Sequence, residues 1–209
     1  MIEQYIKLTS LGNRFQLKFY MEDAEGFVDD TEQQYEYVRY NPRKNIARYG
    51  LSITSLDGQM SGIPDLDSLL EYNIKNNTNI TEKDCNIPTK LYNEPKLKEL
   101  LNPFAKHLFR THIIKLDPGG FFPVHRDAWG NPTSFRLAVP LKNCEPPNVY
   151  FILDGSITYG WELGRMYFVD TIKEHSLFNA SFDPSYWLVL NVALDNESIN
   201  TVVNNLKVY

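Results

Sequence analysis

The sequence predicts an α+β fold in which a β-sandwich or barrel occupies the C-terminal half and the preceding residues pack around it as helices and strands. Three observations carry this. From residue 110 onward, short β-rich runs recur at close intervals with turn signals between them. Helical spacing is confined to the residues before them. The chain has 209 residues, 43% hydrophobic and 22% charged, which is a globular balance able to fill one main core.

Taken in order, "FQLKFYM", "YEYVRY" and "ARYGLSIT" are short apolar runs of the N-terminal third, broken by loop chemistry at Asp57-Gly58 and Ser61-Gly62-Ile63-Pro64. "DSLLEYNIKN" (67–76) has helical spacing behind an acidic start. The polar stretch "NTNITEKDCNIPTK" (77–90) reads as an exposed loop. Leu97, Leu100 and Leu101 sit at helical offsets after Pro95, a first-turn proline, and Pro103 breaks or kinks that helix. The strands that follow are "THIIKL", "FFPVH", "SFRLAVPL", "VYFIL", "ITYGWEL", "MYFVD", "HSLFNAS" and "YWLVLNVAL". The chain divides into an N-terminal α/β region (1–109), a β core (110–195) and a C-terminal tail (196–209), all one domain.

Composition excludes several classes of function. The 21 Lys+Arg against 26 Asp+Glu leave a net charge of −5, which gives no electrostatic support for nucleic acid as a partner. No apolar run is long enough to span a membrane, and the first residues lack the apolar stretch of a signal peptide. Two cysteines, Cys85 and Cys144, make neither a disulfide framework nor a metal knuckle. A cytoplasmic protein is the expectation, and the four N-x-S/T matches at Asn76, Asn79, Asn179 and Asn196 are chance in an Asn-rich chain.

The chemistry concentrates in "PGGFFPVHRDAWG" (118–130). Residues i and i+2 of a strand share a face, so His125 and Asp127 point the same way. Two imidazoles and one carboxylate gathered on one side of an ion, with open positions opposite, suit Fe(II) and similar metals. Of the four histidines, His175 is the best placed to be the third ligand. His107 falls in the helix, and His112 opens a strand as a core histidine or a supporting group. Arg126, between the two ligands, faces away as a solvated or salt-bridged residue. "HRD" is also the kinase catalytic triplet, but the glycine-rich loop, lysine strand and DFG that would accompany it are missing.

Together, "THIIKLDPGGFFPVHRDAWGNPTSFRLAVPL" and "WELGRMYFVDTIKEHSLFNASFDPSYWLVLNV" resemble the aspartyl/asparaginyl β-hydroxylase family, which includes some free-proline hydroxylases. The resemblance implies a double-stranded β-helix (a jelly roll, cupin-like) and a dioxygenase that uses Fe(II), 2-oxoglutarate and O2 to hydroxylate an amino-acid side chain, in a protein or peptide or in a free amino acid. His125, Asp127 and His175 match the iron ligands of that family, Arg136 matches an arginine that helps bind the cosubstrate, and Gly164 matches the glycine opening the strand that leads to the distal histidine. Arg48 and Trp129 are the candidate substrate-binding residues, and Phe121, Phe122, Tyr150, Tyr167 and Trp187 are further candidate pocket walls.

One departure stands out. Where the family carries an arginine for the far carboxylate of 2-oxoglutarate, this chain has Ser185, and Ala138 replaces a frequent histidine. A dianion buried without a cation is costly. Either Arg136 carries the cosubstrate alone, or Arg110, Lys115 or Arg165 has taken over, or 2-oxoglutarate is not used. The alternatives to the oxygenase are therefore a non-catalytic jelly-roll binding module that keeps the triad, and a metal-dependent cupin-type enzyme without 2-oxoglutarate.

Overall fold

The computed structural model describes residues 2–42, 44–128 and 132–207. The elements before the β core are α1 (Ile2–Thr9), β1 (Arg14–Tyr20), α2 (Ala24–Gln34), β2 (Val38–Arg39), β3 (Arg48–Ser52), β4 (Thr54–Ser55), α3 (Leu69–Asn76), β5 (Ile87–Pro88) and α4 (Pro95–Leu101). The core strands are β6 (His112–Leu116), β7 (Phe121–His125), β8 (Ser134–Lys142), β9 (Val149–Leu153), β10 (Ser156–Ile157), β11 (Arg165–Val169), β12 (His175–Asn179) and β13 (Ser185–Ala193), and α5 (Asn196–Asn204) closes the described chain.

Helix boundaries follow local chemistry. Asp23 caps α2 by accepting from the Gly26 amide, Ser68 caps α3 through Glu71, and Asp195 caps α5 through Ser198. Pro95 opens α4, and Pro103 turns the chain into a 3-10 segment over Asn102–His107, as its missing N–H requires. The expectation of a C-terminal tail is corrected, because 196–204 is helical. Its apolar content is slight, with Ile199 and Val202 buried, so the cap at Asp195 is the stronger signal. Helices α1 and α2 were not signalled either; α2 buries only Ala24, Phe27, Val28 and Thr31 from an acidic sequence. Most of "ITYGWEL" is loop rather than strand, since Gly160 takes a positive φ of 75° and ends any extension.

The eight strands from β6 to β13 are shared equally between two antiparallel sheets. The larger has the order β1-β11-β8-β13-β6-β3-β2 and the smaller β10-β9-β12-β7. From β6 to β13 the chain crosses from large sheet to small and back, which is the double-stranded β-helix of a cupin-type core in an α+β protein. The N-terminal β1, β2 and β3 extend the large sheet at both ends.

The large sheet is buried on both faces. Phe135, Leu137, Val139 and Leu141 of β8 pack outward with Leu188, Leu190 and Val192 of β13 against Phe27, Leu101, Phe104 and Val202 from the helices and the 3-10 segment. Inward, Ile114, Leu116, Ala138, Val169 and Trp187 meet Val149, Phe151, Leu153 and Leu177 of the small sheet. Each fully buried Leu, Val or Phe contributes about 1.5–3 kcal/mol. The helical layer thus holds the large sheet rigid, while the opening between the sheets is left to the site.

Candidate metal centre

Strands β7 and β12 pair antiparallel so that His125 lies directly opposite His175. Their rings are 4.2 Å apart, centroid to centroid. Asp127 lies two residues beyond the end of β7, and one ligand atom from each of the three residues lies within 4.8 Å of the others. Asp127 Oδ1 is 3.5 Å from His125 Nε2 and 3.8 Å from His175 Nε2.

The remaining ring nitrogens fix the tautomers. His125 Nδ1 is 2.7 Å from the Pro123 carbonyl and His175 Nδ1 is 3.0 Å from the Lys173 carbonyl. A carbonyl only accepts, so each Nδ1 carries a hydrogen and each Nε2 faces Asp127, where its lone pair serves a metal once that nitrogen is unprotonated. Burial opposes charge on His125, but Asp127 and the Pro123 carbonyl outweigh it and raise its pKa. Burial dominates at His175 and lowers its pKa. This donor set fits a divalent ion of the iron type.

Behind the triad stands a charged network. Arg136 donates from Nε to Asp127 Oδ2 at 2.9 Å and from Nη2 to both oxygens of Glu82 at 3.0 and 2.9 Å. Arg110 and the Asn191 amide also donate to Glu82. Arg136 thus holds the carboxylates of Asp127 and Glu82 together. Burial alone would raise the Asp127 carboxyl, yet Arg136 and the two imidazoles hold it far below the usual range. Burial likewise opposes ionisation of Glu82, and Arg136 and Arg110 bring it down to about 2. The two acids and two arginines cancel in charge.

Glu82 corrects a second expectation. The stretch 77–90 was expected to be an exposed loop, but it folds as a 3-10 turn over Glu82–Asp84 and the short β5, and it sends Glu82 into the network. Thr81 and Asp84 cap that turn reciprocally. The T-x-x-D spacing was the available signal.

An interior cavity of about 100 Å³ adjoins the triad. Ile114, Ala138, Phe151, Leu177, Trp187 and Val189 give it apolar walls, while Tyr40, Arg110, His112 and Arg136 give it a polar side. A separate groove of about 360 Å³ shares Asp127, Arg136 and Thr171 with the cavity and reaches Asn73, Thr81 and Lys83. Burial first, then Arg110 and Arg136, bring His112 down to about 3, so this histidine is neutral.

The other sequence candidates divide. Phe122 and Trp187 line the cavity, with Phe151 and Tyr40 added by the structure. Phe121 and Tyr150 both lie opposite Phe178 on the outer face of the small sheet, and Tyr167 packs on Trp161 within the core. Trp129 lies outside the described residues. Arg48 is buried, 4.4 Å from the Phe122 ring centre. Ser185 accepts from Trp187 Nε1 at 2.9 Å. Of the bases weighed as substitutes, Lys115 pairs with Glu32 at 2.7 Å and Arg165 with Glu162 at 2.9 Å, away from the cavity, while Arg110 lines it. Arg126 turns to Glu174 at 3.3 Å, and His107 pairs with Asp195 at 2.8 Å. Gly164 precedes β11 with φ 79°, and a Cβ there would collide with the Met21 carbonyl.

No family model matches the sequence, and no curated protein matches it. Among solved structures, a 2OG-Fe(II) oxygenase family oxidoreductase from Burkholderia pseudomallei is similar with a TM-score of 0.52 at 14% identity, over 93% of this chain and 90% of that one. A Pseudomonas putida prolyl-4-hydroxylase matches with a TM-score of 0.49 at 12% identity, over 92% and 98%. A predicted oxalate decarboxylase from Thermotoga maritima matches with a TM-score of 0.33 at 16% identity, over 44% and 73%. The Burkholderia likeness is one of fold. No helix among the described residues is long and apolar enough to cross a membrane.

Proposed function

We propose that this chain is an Fe(II)- and 2-oxoglutarate-dependent dioxygenase that hydroxylates an amino-acid side chain, in a peptide, a protein or a free amino acid. The observation that carries the reading is the convergence of His125, Asp127 and His175, with one ligand atom from each within 4.8 Å of the others. Both imidazoles are fixed through Nδ1 to carbonyls, which leaves Nε2 free for a metal. The fold shared with the Burkholderia oxidoreductase supports the reading, and so does the sequence resemblance described above.

When bound, Fe(II) with 2-oxoglutarate and O2 supplies oxidative decarboxylation of the oxo acid coupled to hydroxylation of a C–H bond. The chain's own residues would do the rest. His125, His175 and Asp127 Oδ1 would hold the ion from one side. Arg136 would keep the Asp127 carboxylate ionised and aimed by gripping Oδ2, and Glu82 would keep Arg136 in place. Ile114, Phe151, Leu177 and Trp187 would exclude water from the cavity. The groove beside Asp127, Arg136 and Thr171 would admit the substrate side chain from outside.

The test is anaerobic titration of Fe(II)-loaded protein with 2-oxoglutarate, followed by its turnover in air. Wild type should form the coloured chelate and release succinate, and His125→Ala and Asp127→Ala should do neither. Iron-loaded wild type that neither binds nor consumes 2-oxoglutarate would overturn the reading. One observation favours a cupin-type enzyme without 2-oxoglutarate, namely Ser185 where a cation is expected. Iron-dependent O2 uptake without the oxo acid would mark that case.

A further inference from the structure

The register of the large sheet carries Ser185 across to a different basic residue. Ser185 of β13 lies opposite Leu116 of β6, and Leu116 lies opposite Arg48 of β3. Directly opposed residues share a face. Leu116 belongs to the interior cluster, so Ser185 and Arg48 both emerge on the inner face, two strands or about 10 Å apart.

Arg48 is 5% exposed and poorly satisfied. Its Nε has no hydrogen-bond partner, and Nη1 reaches only the Phe121 carbonyl at 3.5 Å. Burial lowers its pKa, and the phenol of Tyr40, not a carboxylate, is the group that opposes this. Arginine keeps its charge even so. A buried cation without a counter-ion is expensive unless an anion arrives.

Its neighbours lead to the cavity. The guanidinium carbon lies 4.4 Å from the ring centre of Phe122 and 5.2 Å from that of Tyr40, and both rings line the cavity. Tyr40 in turn lies 5.5 Å from the ring of His112, which also lines the cavity and is 5% exposed. Its Nδ1 has no hydrogen-bond partner. Arg110 and Arg136, by contrast, are neutralised by Glu82 and Asp127. Phe122 stands on β7, the edge strand of the small sheet, so shifting its half-buried ring disturbs one strand pairing at most.

We infer that Arg48, Tyr40 and His112 form a carboxylate subsite, and that Arg48 supplies from β3 the cation absent at Ser185. This deepens the function proposed above and rests on it, since the acid bound there would be the far end of a 2-oxo dicarboxylate held at the triad.

The test compares two acids on full-length protein loaded with redox-inert Mn(II), by calorimetric titration. 2-Oxoglutarate carries the far carboxylate, and 2-oxobutyrate keeps the chelating end without it. Wild type should bind 2-oxoglutarate at least ~10-fold more tightly, as a hydrogen bond to a charged group predicts. Arg48→Met should remove that preference and leave 2-oxobutyrate within about twofold of wild type, whereas Arg48→Lys should restore part of it. Tyr40→Phe should reduce the preference in the same direction, and it decides the matter if Arg48→Met does not fold. Retention of the full preference in the variants, or equal loss of both acids, overturns this inference alone. Failure of metal-loaded wild type to bind either acid overturns the oxygenase reading and this inference with it.

Discussion

Arg136 donates from Nε to Oδ2 of Asp127 at 2.9 Å, while Oδ1 of the same carboxylate faces Nε2 of His125 and of His175. One oxygen is therefore held by the protein and the other is presented to an ion. Replacing Arg136 with Leu leaves Asp127 and Glu82 close together, inside, without their shared cation. The expected cost is about 3–5 kcal/mol in stability, with a loss of roughly 10–100-fold in metal affinity. Arg136→Lys should recover little of either, because a point charge cannot reproduce the fork that spans both acids. Denaturant unfolding and a metal-competition assay check the two effects separately.

Acid should act on Glu82 in a defined window. Its folded pKa is depressed to about 2 from an ordinary 4.5, with Arg136 and Arg110 overcoming the opposing effect of burial. A depressed carboxyl contributes stability that is fully present above the unfolded value and is lost as pH falls through the folded one. The stability gap between wild type and Glu82→Gln should therefore be full above pH 4.5 and shrink toward pH 2, by roughly 1–3 kcal/mol. Urea unfolding of both proteins across that range gives the result, and a gap independent of pH would contradict it.

Metal binding should release up to one proton per ion, increasingly so as pH falls through the His125 value. His125 has a raised pKa and must be deprotonated to ligate, while His175 is lowered and Asp127 is already ionised. Affinity should thus fall as pH drops below the His125 value, with a slope near one rather than two. Titration in buffers of differing ionisation enthalpy counts the protons.

Gly164 is a backbone requirement rather than a contact. Its φ of 79° and its closeness to the Met21 carbonyl exclude a Cβ, while its N–H donates to the Pro140 carbonyl and its own carbonyl accepts from the Met21 N–H. Gly164→Ala should cost more than about 2 kcal/mol by combining strain with collision, read as a lowered unfolding midpoint.

How much of this was legible depended on the range of the interactions. The β core was readable because its strands are short apolar runs set off by turn residues, and the order of β6 to β13 follows them closely. His125 was readable because it ends a strand, Asp127 because the H-x-D spacing keeps it close although β7 stops at His125, and His175 because it opens a strand of the same half. Glu82 was not, since it sits in the largely polar run "NTNITEKDCN" and its partners Arg110, Arg136 and Asn191 come from distant elements. The acids that Arg136 meets were hidden for the same reason, because a resemblance fixes a position on a strand but not the acid that meets it. Arg48 was visible as a charge near the site, but its row with Ser185 exists only once β3, β6 and β13 are paired.

The most direct measurement is anomalous diffraction at the iron edge, on crystals grown anaerobically with Fe(II). The account predicts one peak bonded to Nε2 of His125, Nε2 of His175 and Oδ1 of Asp127 at about 2.0–2.2 Å, with Oδ2 still on Arg136 and the opposite positions open. A peak elsewhere, or an ion that leaves either imidazole uncoordinated, would contradict it.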